Sequence, residues 1–246
     1  MPDTVDPLTP KYRRVLLKLS GEALGHGGRS GISLDEVKAI AEQLVRVKNR
    51  GVELAIVVGG GNILRGAQFT AGGDTIRRAT SDYMGMLATV MNGLALQDTL
   101  EAMGVATRLQ TALRMESVAE PFIRRRALRH LEKGRIVILA GGTGNPFVTT
   151  DTAAALRGTE LEVDVLLKAT RVDGIFDSNP EVNPYAVKYD RLSYEKVIRD
   201  DLRVMDIAAF EMCREARLPI IVFNYKKEHA IERVIAGHPL GTIVGE

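Results

Sequence analysis

Cysteine is nearly absent from this 246-residue chain: Cys213 stands alone and can form no internal disulfide. Only four histidines accompany it, so scattered that no Cys/His cluster has zinc-ligand spacing, and no bound structural metal is expected. Missing too is any apolar run near the roughly 18 residues that a membrane span needs. The first residues, MPDTVDPLTPKYRR, lack the apolar stretch of a secretion signal, so a cytoplasmic protein away from membranes is expected. Nor is there an excess of one charge. Thirty-three Lys and Arg against 31 Asp and Glu leave +2, too weak a field to mark a nucleic-acid partner, whereas a small anionic ligand stays open. Two nucleotide signatures are absent as well. No Gly-Lys pair occurs anywhere, which excludes the P-loop, and the candidate glycine loops break the G-x-G-x-x-G spacing at Leu64 and at Phe147.

What is present is 45% apolar and 26% charged residues, the composition of an ordinary globular unit, with no Pro/Ser/Gly linker or repeat to divide it. Short apolar runs alternate with longer amphipathic ones. Strands are expected at Val15 to Leu19, Val52 to Val58, Arg135 to Ala140, Val163 to Ala169 and Pro219 to Asn224; their near-continuous apolar character suits a parallel sheet buried on both faces. Between them, SLDEVKAIAEQLVRVKNRG reads as a helix with a Ser33/Glu36 capping box and a stop at Gly51. Further helices are expected over Ser81 to Gly104, from Pro121 to Gly134, and along VMDIAAFEMCREARL. The fold class is therefore α/β with helices on both faces.

In an open parallel sheet, ligands sit beyond the carboxyl ends of the strands. Here those ends open into SGEALGHGGRSG, GGGN and GGTGNPFVTTD, so three strands deliver backbone N–H groups to one rim, as a phosphate chain requires. Lys18, inside VLLKLSG, either contacts an anion or snorkels to water. Arg65 after GGGN can grip phosphoryl oxygens in bidentate fashion, though the glycines alone could be a turn. Asp151 either caps the helix beginning at TAAALRG or holds lysine side chains near a reacting phosphoryl group. Asp82 either caps the long apolar helix or accepts hydrogen bonds from sugar hydroxyls, and that helix is deeply buried or packed against a copy of itself. The segment from Lys168 to Pro180 reads as a turn that also offers Thr170, Phe176 and Asn179 to a purine. RRRALRH is expected as a solvated or intersubunit helix face.

KLSGEAL, GGGNILRG, DYMGMLATVMNGLALQD, GTGNPFVTTD, LKATRVDGIF and VMDIAAF, in this order, resemble the bacterial-type uridylate (UMP) kinases of the amino acid kinase superfamily from about Tyr12 to Glu246. The resemblance implies a three-layer αβα sandwich with a mainly parallel central sheet, residues 12–246 forming one domain after an N-terminal extension of residues 1–11. The first part of that domain would mainly bind UMP and oligomerise, and the second would mainly bind ATP. It also implies transfer of the ATP γ-phosphoryl group to UMP, with Mg²⁺ travelling with ATP. Carried over by motif, ATP contacts fall on Lys18, Leu19, Ser20, Gly21, Gly61, Arg65, Thr170, Phe176 and Asn179, the last standing where the family usually has aspartate. UMP contacts fall on Gly60, Asp82, Thr143, Gly144, Asn145, Pro146, Phe147, Val148, Thr149 and Thr150. Lys18, Arg65 and Asp151 take the catalytic roles. A homohexamer is implied, with GTP as activator and UTP as inhibitor. The GTP region maps onto His26, Gly27, Gly28, Arg29, Ser30 and Gly31.

Overall fold

The six residues Arg14–Leu19 (β1), four of them apolar, pair in parallel with Glu53–Val58 (β2) on one side and Val165–Thr170 (β6) on the other, which puts the first strand at the centre of the sheet. The computed structural model describes residues 9–27, 30–64, 76–180, 182–202 and 204–246. Thr107–Thr111 (β3), Glu120–Pro121 (β4) and Ile136–Ala140 (β5) extend the sheet beyond β2, and Arg191–Leu192 (β7), Ile220–Asn224 (β8) and Thr242–Val244 (β9) extend it beyond β6. The order is β4-β3-β5-β2-β1-β6-β8-β9-β7, parallel throughout except where β9 runs antiparallel to β8.

Strand parity assigns side chains to the two faces. Val15, Leu17 and Leu19 point into a core closed by Leu34–Asn49 (α1), Arg78–Ala102 (α2) and Ala230–Ile235 (α7). Leu16 and Leu166 point the other way, into a core closed by Arg124–Glu132 (α3), Thr150–Glu160 (α4), Tyr194–Arg199 (α5) and Ile207–Glu215 (α6). This is the expected three-layer αβα sandwich. Helix α1 starts as its sequence dictates, with the Ser33 side chain accepting from the Glu36 N–H and Gly51 at φ 83° just past its end. Among the described residues no helix is long and apolar enough to cross a membrane.

Three helix starts differ from expectation. Pro121 does not open α3; it lies on the edge strand β4, where its missing N–H costs no ladder bond, and the helix begins at Arg124. Helix α2 starts at Arg78, three residues before Ser81, which places Asp82 in the second turn and removes it from any capping role. Asp206 stands outside α6 as its N-cap, accepting from the Ala209 N–H at 2.8 Å. The short strands β3, β4, β7 and β9 carry too few apolar residues to stand out in the sequence.

Candidate active site

Lys18 near the end of β1 and Lys168 near the end of β6 occupy matching register on adjacent strands, so both side chains emerge on the α4 face. Both are buried, at 7% and 8% exposure. What makes this tolerable is Asp151, in the first turn of α4: its Oδ2 accepts from Lys168 Nζ at 2.6 Å, and Lys18 Nζ lies 2.8 Å from Oδ1. The helix cap is supplied instead by Thr149, whose hydroxyl accepts from the N–H groups of Asp151 and Thr152. Capping is thus excluded as the role of the Asp151 carboxylate, and snorkelling as the resting place of Lys18.

Burial lowers the Lys168 pKa to about 8; the Lys18 charge adds to the effect, and Asp151 and Asp206 offset part of it. For Asp151, burial opposes ionisation, but the two ammonium groups outweigh it and hold the carboxyl below its ordinary range. Asp206 joins this cluster by accepting from the hydroxyls of Thr152, at 2.8 Å, and Thr149. It thereby ties the start of α6 to the start of α4.

The glycine loops meet next to the lysines. A Cβ on Gly21 would stand 2.5 Å from the Gly61 nitrogen, and one on Gly59 would stand 2.7 Å from the Gly21 nitrogen, so the first two loops touch backbone to backbone. Beside them opens a cavity of about 200 Å³ across the carboxyl edge of the sheet. Its wall includes Gly60, Gly61, Asp82, Thr143, Val148, Thr149 and Thr150, together with Ser81, Gly85, Met86 and Thr89 of α2. The third loop winds through left-handed residues at Gly141, Gly142 and Gly144 and again at Phe147, at φ 68°. Asp82 Oδ2 accepts from the Phe147 N–H at 2.8 Å, and the Arg78 guanidinium lies 5.6 Å from the Phe147 ring.

The structure thus gathers Lys18, Asp151 and most of the expected acceptor-side residues. Gly144, Asn145, Pro146 and Phe147 belong to the same loop but do not line the cavity. Leu19 is fully buried in the core and offers the site only backbone. Ser20 and Gly21 sit at the 3-10 turn that follows β1. Thr170 ends β6, its hydroxyl donating to the carbonyls of Val172 and Phe223, while Phe176 bridges to Lys188 and the Asn179 carbonyl accepts from the Val182 and Asn183 N–H groups on the loop beyond. His26, Gly27, Ser30 and Gly31 lie between the 3-10 turn and α1, with the Gly31 N–H donating to the Asn62 carbonyl at 2.7 Å. Arg65, Gly28 and Arg29 lie outside the described residues.

Sequence reasoning missed Lys168 and Asp206 as site residues. A signal for Lys168 existed: Val165 to Lys168 repeats the tetrapeptide VLLK of Val15 to Lys18, a second lysine interrupting an apolar strand. No comparable signal marked Asp206, because the helix it caps was expected to begin upstream of it.

The amino acid kinase family model matches residues 13–224. Among solved structures, the chain is similar to UMP kinase from Bacillus anthracis at 39% identity and a TM-score of 0.92, covering 95% of this chain and 96% of that one. It resembles UMP kinase from Ureaplasma parvum at 33% identity, TM-score 0.89, over 95% and 99% of the two chains. Uridylate kinase from Archaeoglobus fulgidus matches at 26% identity, TM-score 0.73, over 94% and 99%.

Proposed function

The chain belongs to the amino acid kinase family, and from that premise we propose that it is a UMP kinase, moving the γ-phosphoryl group of ATP onto the 5′-phosphate of UMP to give UDP and ADP. The observation that carries this reading is the pair of buried lysines on one carboxylate, set at the strand ends beside a cavity walled by glycine amides, threonine hydroxyls and Asp82. The similarity to UMP kinases of two bacteria supports the choice of acceptor.

Phosphoryl transfer through a loose transition state needs positioning and positive charge more than covalent chemistry. Lys18 and Lys168 supply two ammonium groups whose spacing is fixed by register and by Asp151, so no reorganisation is needed as charge develops on the transferring group. The Gly60 and Gly61 stretch and the start of α4 bring amides and hydroxyls to the acceptor phosphate. Asp82 accepts from ribose hydroxyls. No general base is required, because the nucleophile is already a phosphate oxygen.

Mg²⁺ would enter this site as an ion carried by the nucleotide and would supply charge neutralisation to its phosphates. The Asp151 oxygens are engaged by lysines and the Asp206 oxygens by hydroxyls and an amide, and among the described residues no set of three His, Cys, Asp or Glu side chains gathers around a common point.

On the same reading the enzyme is a cytoplasmic homohexamer in pyrimidine nucleotide synthesis, activated by GTP and inhibited by UTP. Self-association is supported by the exposed apolar row of Tyr83, Leu87 and Met91, four residues apart along α2. The test is a coupled assay of ADP formation with UMP, CMP, dUMP, aspartate and acetylglutamate as acceptors, with and without GTP or UTP. UMP alone among these acceptors should support fast turnover. Turnover with an amino acid and none with UMP would replace the reading.

A further inference from the structure

The GGGN loop is held from behind by an amide that never reaches the cavity. Asn92 of α2 is fully buried, and its three side-chain hydrogen bonds all go to that loop. Its Nδ2 donates to the Gly59 carbonyl at 2.7 Å and to Asn62 Oδ1 at 2.7 Å, while its Oδ1 accepts from Asn62 Nδ2 at 3.0 Å. Asn62 Nδ2 also donates to the Gly31 carbonyl at 3.1 Å. The reciprocal pair therefore knots three separate segments together: α2, the loop after β2, and the end of the loop after β1.

A leucine pair of similar volume would still fill the space between α2 and β2, and the Asn62–Asn92 contact itself would be exchanged at little cost, but the Gly59 and Gly31 carbonyls would lose their side-chain donors. What leucines could not do is orient the Gly59 carbonyl. The peptide plane that follows it carries the Gly60 N–H, and Gly60 and Gly61 line the cavity. We infer that Asn92 is a positioning residue that acts through Asn62 and Gly59 to aim the Gly60 and Gly61 amides at the phosphates. This rests on the reading of that loop as a phosphate contact. It assigns to α2 two tasks in one helix: presenting Asp82 to the acceptor and setting the loop opposite it.

The test compares Asn92→Leu, Asn62→Leu and the double variant in UMP-dependent ADP formation, thermal melting, and hydrogen exchange of residues 59–63. Each single variant should lose about tenfold or more in kcat/KM for UMP, the scale expected when reacting groups are displaced by a fraction of an ångström to an ångström. The double should lose no more than the worse single, because both changes open one clamp. Exchange should accelerate over residues 59–63 and stay unchanged along β2. If the leucine variants do not fold, Asn62→Ala trims the clamp from the loop side and takes the same readouts. Full turnover in a folded variant, losses that multiply in the double, or unchanged exchange would each overturn the inference. A wild-type chain that forms no ADP with UMP would end the functional reading instead, and the exchange measurement would still decide whether the clamp sets the loop.

Discussion

Replacing Asp151 by asparagine leaves two buried ammonium groups facing each other across neighbouring strands with no charge between them. An effective dielectric of about 20 and a separation of about 4 Å put the lost attraction per pair near 4 kcal/mol. Lys168 starts with a pKa of about 8, so losing attraction on that scale carries it down by about three units, to below neutrality, and at pH 7 the variant would fold with a neutral amine there. This relief caps the damage: shedding the proton at pH 7 costs only about 1.4 kcal/mol, one pH unit below the wild-type value. The sign of the pH dependence follows from proton counting. Between pH 6 and 8 the folded wild type keeps the Lys168 proton, as the unfolded chain does, so this group contributes no slope; the folded variant lacks it, and its stability rises with pH. The gap between the two proteins should therefore narrow by about 1.4 kcal/mol per pH unit from pH 6 to 8 and then hold constant, because above about 8 both folded forms lack the proton. Urea unfolding at half-unit pH steps reads this directly. A gap that stays flat from pH 6 to 8 would refute the picture of one carboxylate holding two buried charges. Turnover at pH 7 should fall on the order of 10²–10³, since one cation is lost from the transfer.

Three further outcomes follow from the same geometry. Lys18→Met should keep the fold and lose on the order of 10²–10³ in kcat, and a folded variant with normal turnover would remove Lys18 from the chemistry. In wild type, kcat/KM for UMP should decline above a limb near pH 8 as Lys168 in the free enzyme loses its proton, and Asp206→Asn should move that limb to lower pH because the Asp206 charge helps keep Lys168 protonated; a limb that stays in place would separate Asp206 from Lys168. Asp82→Ala should weaken UMP binding in titration calorimetry, whereas unchanged affinity would restrict Asp82 to anchoring the Phe147 N–H.

How far the sequence could be read depends on where each signal resides. The central strands were legible because burial on both faces forces continuous apolar runs, and their ends were legible because the loops that leave them are rich in glycine. The edge strands β4 and β7 are two residues long each, and their pairing is set by the sheet they join. Helix starts were misjudged by three residues at α2, α3 and α6; α2 and α3 have no side-chain cap at Arg77 and Ile123, and the Asp206 cap of α6 lies inside the run read as helix.

The site shows the same division more sharply. Lys18 and Asp151 could each be named from local context, but their meeting could not, because it depends on a register across β1 and β6 and on where α4 starts. Strand register makes Lys18 and Lys168 neighbours at a distance of about one strand spacing, a price in repulsion that no local pattern explains. Only a carboxylate entering from the helix layer makes it bearable, and the Thr149 cap turns Asp151 inward at that point. The Asn62 and Asn92 pair is more hidden still: two asparagines 30 residues apart, each unremarkable in its own segment, acquire a role only when α2 lies across the end of β2. A fold built to carry such a cluster need not have been selected for its stability, since the lowered Lys168 pKa records a cost of keeping that charge buried. What the arrangement gains is a pair of cations already in place before any phosphate arrives.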